Sequence, residues 1–230
     1  MLLINENGLY FPDPREQDDE GLIACGGDLS PERLIFAYSV GIFPWYDPED
    51  PILWWSPNPR LVLFPQELKV ARSMRPYFNQ QKFSFSINKS FRKVMLSCAA
   101  ADRKQQEGGT WIGKDIIEAY AELHKMGYAH SVEVWDVSGN LVGGLYGIAI
   151  GKVFFGESMF SEVSNASKFG FISLVRKLAE WDFELIDCQQ ETKHLASLGA
   201  RAVSRNDFME MLEKWTIEQA SPDAFRLLTT

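Results

Sequence analysis

Cysteine and histidine are both scarce, with three of each in 230 residues. Cys25, Cys98 and Cys188 are widely spaced and form no CxxC, so they read as buried thiols in a reducing compartment rather than as a disulfide framework. His124, His130 and His194 make no ligand-spaced pair with Cys or carboxylates, which argues against a metal site, and no cofactor is expected. No run approaches the roughly 20 apolar residues of a membrane span. The opening MLLINENGLYFPDP has neither a basic n-region nor a cleavage pattern, so a cytoplasmic protein without membrane attachment is expected. There is no GxSxG elbow, no Cys–His motif, no Walker loop, no internal repeat and no low-complexity tail. What remains is 46% hydrophobic and 23% charged. That composition is ordinary for one large globular domain, or for a small one joined to a medium one.

Against this plain background the segment 41–60, GIFPWYDPEDPILWWSPNPR, stands out. It holds five prolines and five aromatic residues, among them three of the seven tryptophans. Repeated prolines forbid a long helix or a central strand, while disordered linkers are poor in aromatics. The segment therefore reads as a folded, irregular loop that fixes aromatic rings. Such rings can stack a flat ligand such as a nucleobase, or simply form the core of a small Trp/Pro-rich subdomain.

Charge is segregated along the chain. Residues 1–59 carry −9, residues 60–104 carry +8 and residues 105–230 carry −7, giving the net −8. The basic block is Arg60, Lys69, Arg72, Arg75, Lys82, Lys89, Arg92, Lys93, Arg103 and Lys104. This is the footprint expected of a phosphate-binding face; a surface neutralised by the acidic N-terminal segment is the alternative.

Periodicity suggests two units and an α+β class. Ser30 and Pro31 open a helix that Gly41 stops. LVLFP (61–65) reads as a strand, and another lies near Phe83–Ile87. Helices are expected over 89–99 and 114–126. The pattern then turns to period two in HSVEVWD, LVGGLYGIAIG and KVFFGESMF, an antiparallel meander with tight turns at 138–140 and near Gly151. A helix over 166–181, the strand FELIDCQ and a last helix at 206–215 complete the pattern. The division expected is a small α/β domain at 1–64 and a larger domain at 65–230 with a mainly antiparallel sheet.

Two polar clusters interrupt apolar strands. Gly156 permits close backbone approach beside Glu157, which lies in a run of Phe and Met. Asp187 and Gln189 alternate with Cys188, which places them on one strand face. A carboxylate among apolar groups pairs, shifts its pKa or stays near solvent. A salt bridge or turn cap would explain each cluster structurally; buried acids at functional sites would explain them chemically.

The blocks GGDLSPERLIFAYSVGIFPWYDPEDPILWWSPNPR (26–60), GTWIGKDIIEAYAELHKMGYAHSVEVWD (109–136), LVGGLYGIAIGKVFFGESMFS (141–161), NASK (165–168) and LIDCQ (185–189) closely resemble the bacterial leucyl/phenylalanyl-tRNA–protein transferases, in order over most of residues 20–205. The resemblance implies a small N-terminal domain followed by a larger GNAT-like domain. It implies transfer of Leu, Phe and less readily Met from aminoacyl-tRNA to the α-amine of proteins beginning with Lys or Arg, which marks them for N-degron proteolysis. It also implies a monomer. By position it makes Glu157 and Gln189 catalytic, with Asp187 one strand step behind Gln189. The side-chain chemistry suggests that the Gln189 amide oxygen receives the attacking amine, Asp187 polarises that amide from the other side, and Glu157 orients the aminoacyl adenosine or the amine; whether Glu157 or the Asp187/Gln189 pair handles the proton stays open. Trp45 and Trp111 are implied to pack around the terminal adenosine. Leu145, Phe154, Met159, Leu174 and Ile186 are implied to wall the side-chain pocket. The family pattern has Met at position 145 and Phe at 174, which leaves the pocket shape open in this chain. A CoA-dependent N-acetyltransferase of the same fold lacks support, because SEVSNASKFG precedes the 166–181 helix where a Q/R-x-x-G-x-G/A loop would be needed. A cell-wall aminoacyltransferase is not resembled by these blocks. A non-catalytic tRNA-binding module would explain the basic block and the tryptophans but not Glu157, Asp187 and Gln189.

Overall fold

Pro31 and Gly41 punctuate the first helix as the sequence requires: α1 spans Pro31–Ser39, and Gly41 follows it at φ +77°. The computed structural model of the chain describes residues 2–4, 8–105, 110–190 and 192–225. Around α1 lie four short strands, β1 (Leu2–Ile4), β2 (Leu22–Gly26), β3 (Phe43–Pro44) and β4 (Leu53–Trp55), in the order β1-β2-β4-β3. The proline-rich segment thus contains two strands of a small sheet, with Pro44 on an edge strand where its missing donor costs no ladder bond. Its tryptophans divide between the core and the surface. Trp54 is fully buried and donates to the Gly26 carbonyl at 2.9 Å, whereas Trp45 is 40% exposed and rests edge-on against Trp55.

The rest of the chain runs β5 (Arg60–Leu63), α2 (Arg75–Asn79), β6 (Ser84–Ile87), α3 (Phe91–Gln105), α4 (Lys114–Lys125), β7 (Ala129–Trp135), β8 (Leu141–Ile150), β9 (Val153–Ser161), α5 (Ala166–Glu180), β10 (Leu185–Gln189), α6 (Lys193–Ser197), β11 (Arg201–Val203) and α7 (Arg205–Trp215). Its sheet has the order β11-β5-β10-β9-β8-β7-β6, and only β9 and β10 pair in parallel. The α+β class with a mainly antiparallel sheet is borne out. The larger sheet already includes β5, which precedes the expected 64/65 boundary. The two sheets also share one apolar core: Tyr38 and Trp54 belong to the same cluster as Tyr146, Phe155 and Phe208. A second core lies on the opposite face of the large sheet under α5, with Leu145, Phe154, Leu174 and Ile186 in it.

The helix expected over 89–99 begins two residues later and runs six further. Its start is set by Glu133, a fully buried carboxylate on β7. It accepts from the Ser86 and Ser131 hydroxyls at 2.5 and 2.6 Å and from the Ser90 and Lys89 N–H groups at 3.0 and 3.3 Å. The charge therefore sits at the positive end of α3. Glu133→Leu would leave two hydroxyls and two amides without an acceptor. The expected cost is about 3 kcal/mol, read in thermal unfolding as a midpoint lowered by roughly 6–12 °C; an unchanged midpoint would mean these donors find other partners.

Candidate active site

Two adjacent strands are each irregular at the same level, and the site lies there. In β9 the pairing with β8 passes from Tyr146↔Ser158 to Gly147↔Gly156, leaving Glu157 as an extra residue. In β10 the pairing with β5 passes from Asp187↔Val62 to Gln189↔Leu61, leaving Cys188 extra. Bulges re-aim side chains that regular alternation would send elsewhere. Beyond Asp187, β10 leaves β9, whose residues 156–161 then pair only with β8. The gap opened between them is a cleft of about 330 Å³.

Its polar floor is a connected network. Gln189 Nε2 donates to Glu157 Oε1 at 3.0 Å, and Tyr120 Oη donates to Glu157 Oε2 at 3.3 Å. Tyr120 in turn lies 2.5 Å from the Tyr38 hydroxyl. Glu157 borders the cleft, yet protein surrounds its carboxyl closely. That desolvation pushes its pKa up to about 7, assisted by Asp187 and opposed by the tyrosine hydroxyls and Arg60. Asp187 is fully buried and grips Arg60 in a fork, with Arg60 Nε and Nη2 donating to its two oxygens at 2.8 and 2.6 Å. Arg60, 1% exposed, is flanked by the rings of Phe43 and Phe208 at 4.7 and 4.8 Å. Asp187 Oδ1 also accepts the Gln189 backbone N–H at 2.9 Å. That bond holds Gln189 at φ +58°, a conformation L side chains rarely adopt.

Several expectations change in detail. Strand alternation does not relate Asp187 to Gln189, because the bulge at Cys188 intervenes. Asp187 touches the backbone of Gln189, and Glu157, not Asp187, holds its side-chain amide. The tight backbone approach expected at Gly156 is instead at Gly147, where an added Cβ would lie 2.2 Å from the Phe155 carbonyl oxygen and 2.5 Å from the Phe154 ring. Arg60 faces the core, so it is no part of a basic surface. Lys69, Arg72, Arg75, Lys82, Lys89, Arg92 and Lys93 are exposed, and the side chains of Arg103 and Lys104 lie outside the described residues. Among the described residues, Arg92 pairs with Glu118, and none of these exposed cations pairs with the segment 1–59.

The cleft walls come from both sheets. Trp45 and Trp111 border it, their segments joined where the Tyr46 hydroxyl donates to Asp115 at the start of α4. Leu145, Met159 and Ile186 line its apolar recess together with Phe171 and Leu195. Phe154 and Leu174 are buried in the core behind that recess rather than lining it. Sequence reading does not single out Phe43, Tyr146, Phe171, Leu195, Tyr38 or Tyr120, and it places Arg60 in the basic block instead of the site. For Tyr120 a signal existed: it shares the buried stripe of α4 with Ile116, Ile117 and Leu123, and a phenol in such a stripe needs a polar partner. Cys25 and Cys98 are buried free thiols, and Cys188 borders the cleft half-buried.

A family model described as leucyl/phenylalanyl-tRNA protein transferase matches residues 62–213, more than half of the chain, and the model of that family's N-terminal domain matches residues 27–58. The chain belongs to the leucyl/phenylalanyl-tRNA–protein transferase family. Proteins named as such transferases are 58% identical in Nitrosospira multiformis, over 84% of this chain and 82% of the relative, and 54% identical in Cellvibrio japonicus, over 90% and 88%. One from Legionella pneumophila is 50% identical over 91% of this chain and 92% of its own length. The resemblance read from the sequence blocks is therefore borne out, and the family is one of aminoacyltransferases. Among solved structures, likenesses at low sequence identity are found. L-PGS from Bacillus licheniformis aligns with a TM-score of 0.42 at 10% identity over 71% of this chain and 52% of its own. That likeness is too loose to support an argument. No helix among the described residues is long and apolar enough to cross a membrane.

Proposed function

We propose that this chain transfers Leu or Phe, and less readily Met, from charged tRNA to the α-amine of proteins beginning with Lys or Arg, so directing them to N-degron proteolysis. The observation that carries this reading is the meeting, in one cleft, of an aromatic shelf, an apolar recess and a polar pair. Trp45 and Trp111 would hold the terminal adenosine. The recess of Leu145, Met159, Phe171, Ile186 and Leu195 would take the amino-acid side chain, with Phe154 and Leu174 setting its depth from behind. A polar side chain there would lose its hydrogen bonds, which supplies the selectivity. The ester is already activated, and an α-amine of pKa about 7.7–8.0 is partly neutral near pH 7. Positioning therefore does most of the work. Gln189 Oε1 accepts an N–H of the amine, which turns the nitrogen lone pair to the ester carbonyl; the C–N bond forms, the ester C–O bond breaks, and a proton of the amine passes to the departing tRNA oxygen, which leaves as a hydroxyl. The exposed cations of 69–93 would receive the acceptor stem. The GNAT-like reading of the larger unit rests on the family, with the β9–β10 gap as its substrate entrance. Action as a monomer follows from the family resemblance, and charged tRNA implies the cytoplasm.

The test is transfer of labelled Phe from charged tRNA to a peptide beginning with Arg, beside the same peptide acetylated. Label on the free amine alone is the expected result. Tight tRNA binding without any transfer would leave a binding module. Within this assay Trp45→Ala should weaken the donor by about 1–3 kcal/mol, seen as a raised KM for charged tRNA; an unchanged KM would remove Trp45 from the adenosine site.

A further inference from the structure

Gln189 is fixed at every point but one. Its backbone is held by Asp187, and its side chain is held by Glu157. Only a half-turn of the terminal amide, exchanging Nε2 and Oε1, leaves these anchors intact. Which way the amide faces is a matter of its partner's chemistry. An ionised carboxylate can only accept, so it draws Nε2 to itself and leaves Oε1 toward the cleft, as the 3.0 Å contact has it. A protonated carboxyl has an O–H to give. The amide oxygen is a strong acceptor within its reach, and accepting that bond turns Nε2 outward. An incoming amine must donate an N–H to be held with its lone pair forward, and of the two ends of the Gln189 amide only Oε1 can receive it.

We infer that Glu157 is a positioning residue whose ionisation selects which face of the Gln189 amide meets the incoming amine, so that transfer requires Glu157 ionised. The inference rests on the aminoacyl-transfer reading above. The groups facing Glu157 are Tyr38 from α1, Tyr120 from α4, Tyr146 from β8, Arg60 from β5 and Asp187 from β10. Burial holds the three tyrosines protonated well beyond neutrality, and Arg60 and Asp187 neutralise each other. Glu157, with a pKa of about 7, is thus the member of this group poised to titrate near neutral pH. Its proton disables Gln189 on the acid side, in addition to the proton on the acceptor amine.

The experiment is the pH profile of kcat/KM for transfer from Phe-tRNA to an Arg-initiated peptide. With two ionisations on the acid side, the wild-type logarithm should fall with a slope nearing about two, over roughly pH 5.5–8. Glu157→Gln offers a permanent amide oxygen to Gln189 Nε2. It should reduce that slope to about one while losing no more than about tenfold at pH 8. Glu157→Leu offers nothing and should lose about a hundredfold or more at every pH, with tRNA affinity and thermal midpoint kept as checks on folding. A Glu157→Gln variant that loses a hundredfold at all pH values would make Glu157 the proton acceptor and overturn the inference. A retained slope of two would overturn it as well. A wild-type protein inert with charged tRNA, yet folded, would instead sink the functional reading beneath it.

Discussion

Asp187→Ala should lose stability and transfer together, whereas Gln189→Ala should lose transfer alone. The difference follows from what each side chain touches. Asp187 is buried with Arg60, and the guanidinium is enclosed between Phe43 and Phe208. Removing the carboxylate strands a cation in the core, which costs about 3–5 kcal/mol and lowers the unfolding midpoint by roughly 6–20 °C. The same change removes the acceptor that holds the Gln189 N–H, so the amide loses its placement and transfer should fall at least about a hundredfold, several kcal/mol of transition-state stabilisation. Gln189→Ala leaves the ion pair whole, and its midpoint should stay within a few degrees of wild type. A double variant, Arg60→Met with Asp187→Leu, should regain much of the lost stability because two charges no longer need desolvation, but not the activity. Asp187→Ala with a wild-type midpoint would show that the stranded Arg60 finds other partners, and a double variant that transfers normally would show that Asp187 does not act by holding Gln189.

The uneven legibility of this chain has a physical pattern. Features fixed by local backbone chemistry could be read: Pro31 and Gly41 bounding α1, Gly127 at φ +85° closing α4, and Gly139 and Gly151 in the turns of the meander. Features fixed by neighbours could not. The bulges at Glu157 and Cys188 depend on the register of the facing strands, and a period-two reading has no means of locating an extra residue. Charge counting treats every cation as surface, so Arg60 was grouped with Lys69–Lys93 although its partner lies 127 positions away. The sequence predicts the α/β class of the small unit but does not locate its strands, because they are two to five residues long and lie among prolines. Glu157, Asp187 and Gln189 stand out as polar groups in apolar strands and the family blocks give them their role; the residues supporting them, Tyr38, Tyr120 and Arg60, are polar groups whose purpose only the assembled core reveals.

Arg205→Ala should loosen the N-terminal unit from the larger sheet. Arg205 is the first residue of α7 and 4% exposed. Its Nε donates to the Ser56 carbonyl at 2.8 Å, its Nη1 to those of Pro14 and Gln17 at 2.8 and 2.9 Å, and its Nη2 to that of Asp18 at 2.5 Å. One planar fork thus takes up four carbonyls from two separate stretches of chain. Deleting it should cost about 3–4 kcal/mol, since hydrogen bonds to a charged donor are each worth about 1.5–3 kcal/mol and water recovers only part of them. Arg205→Lys should restore less than half of that, because an ammonium cannot reproduce the fork. The functional consequence is directional. Phe43, Pro44 and Trp45 wall the cleft from the N-terminal unit, while Glu157 and Gln189 belong to the larger sheet. A loosened unit should therefore raise KM for charged tRNA more than it lowers kcat. If Arg205→Ala instead lowered kcat at unchanged KM, the N-terminal unit would be shaping the polar floor and not the donor shelf, because Arg60 and Phe43 are the contacts through which it could reach Asp187.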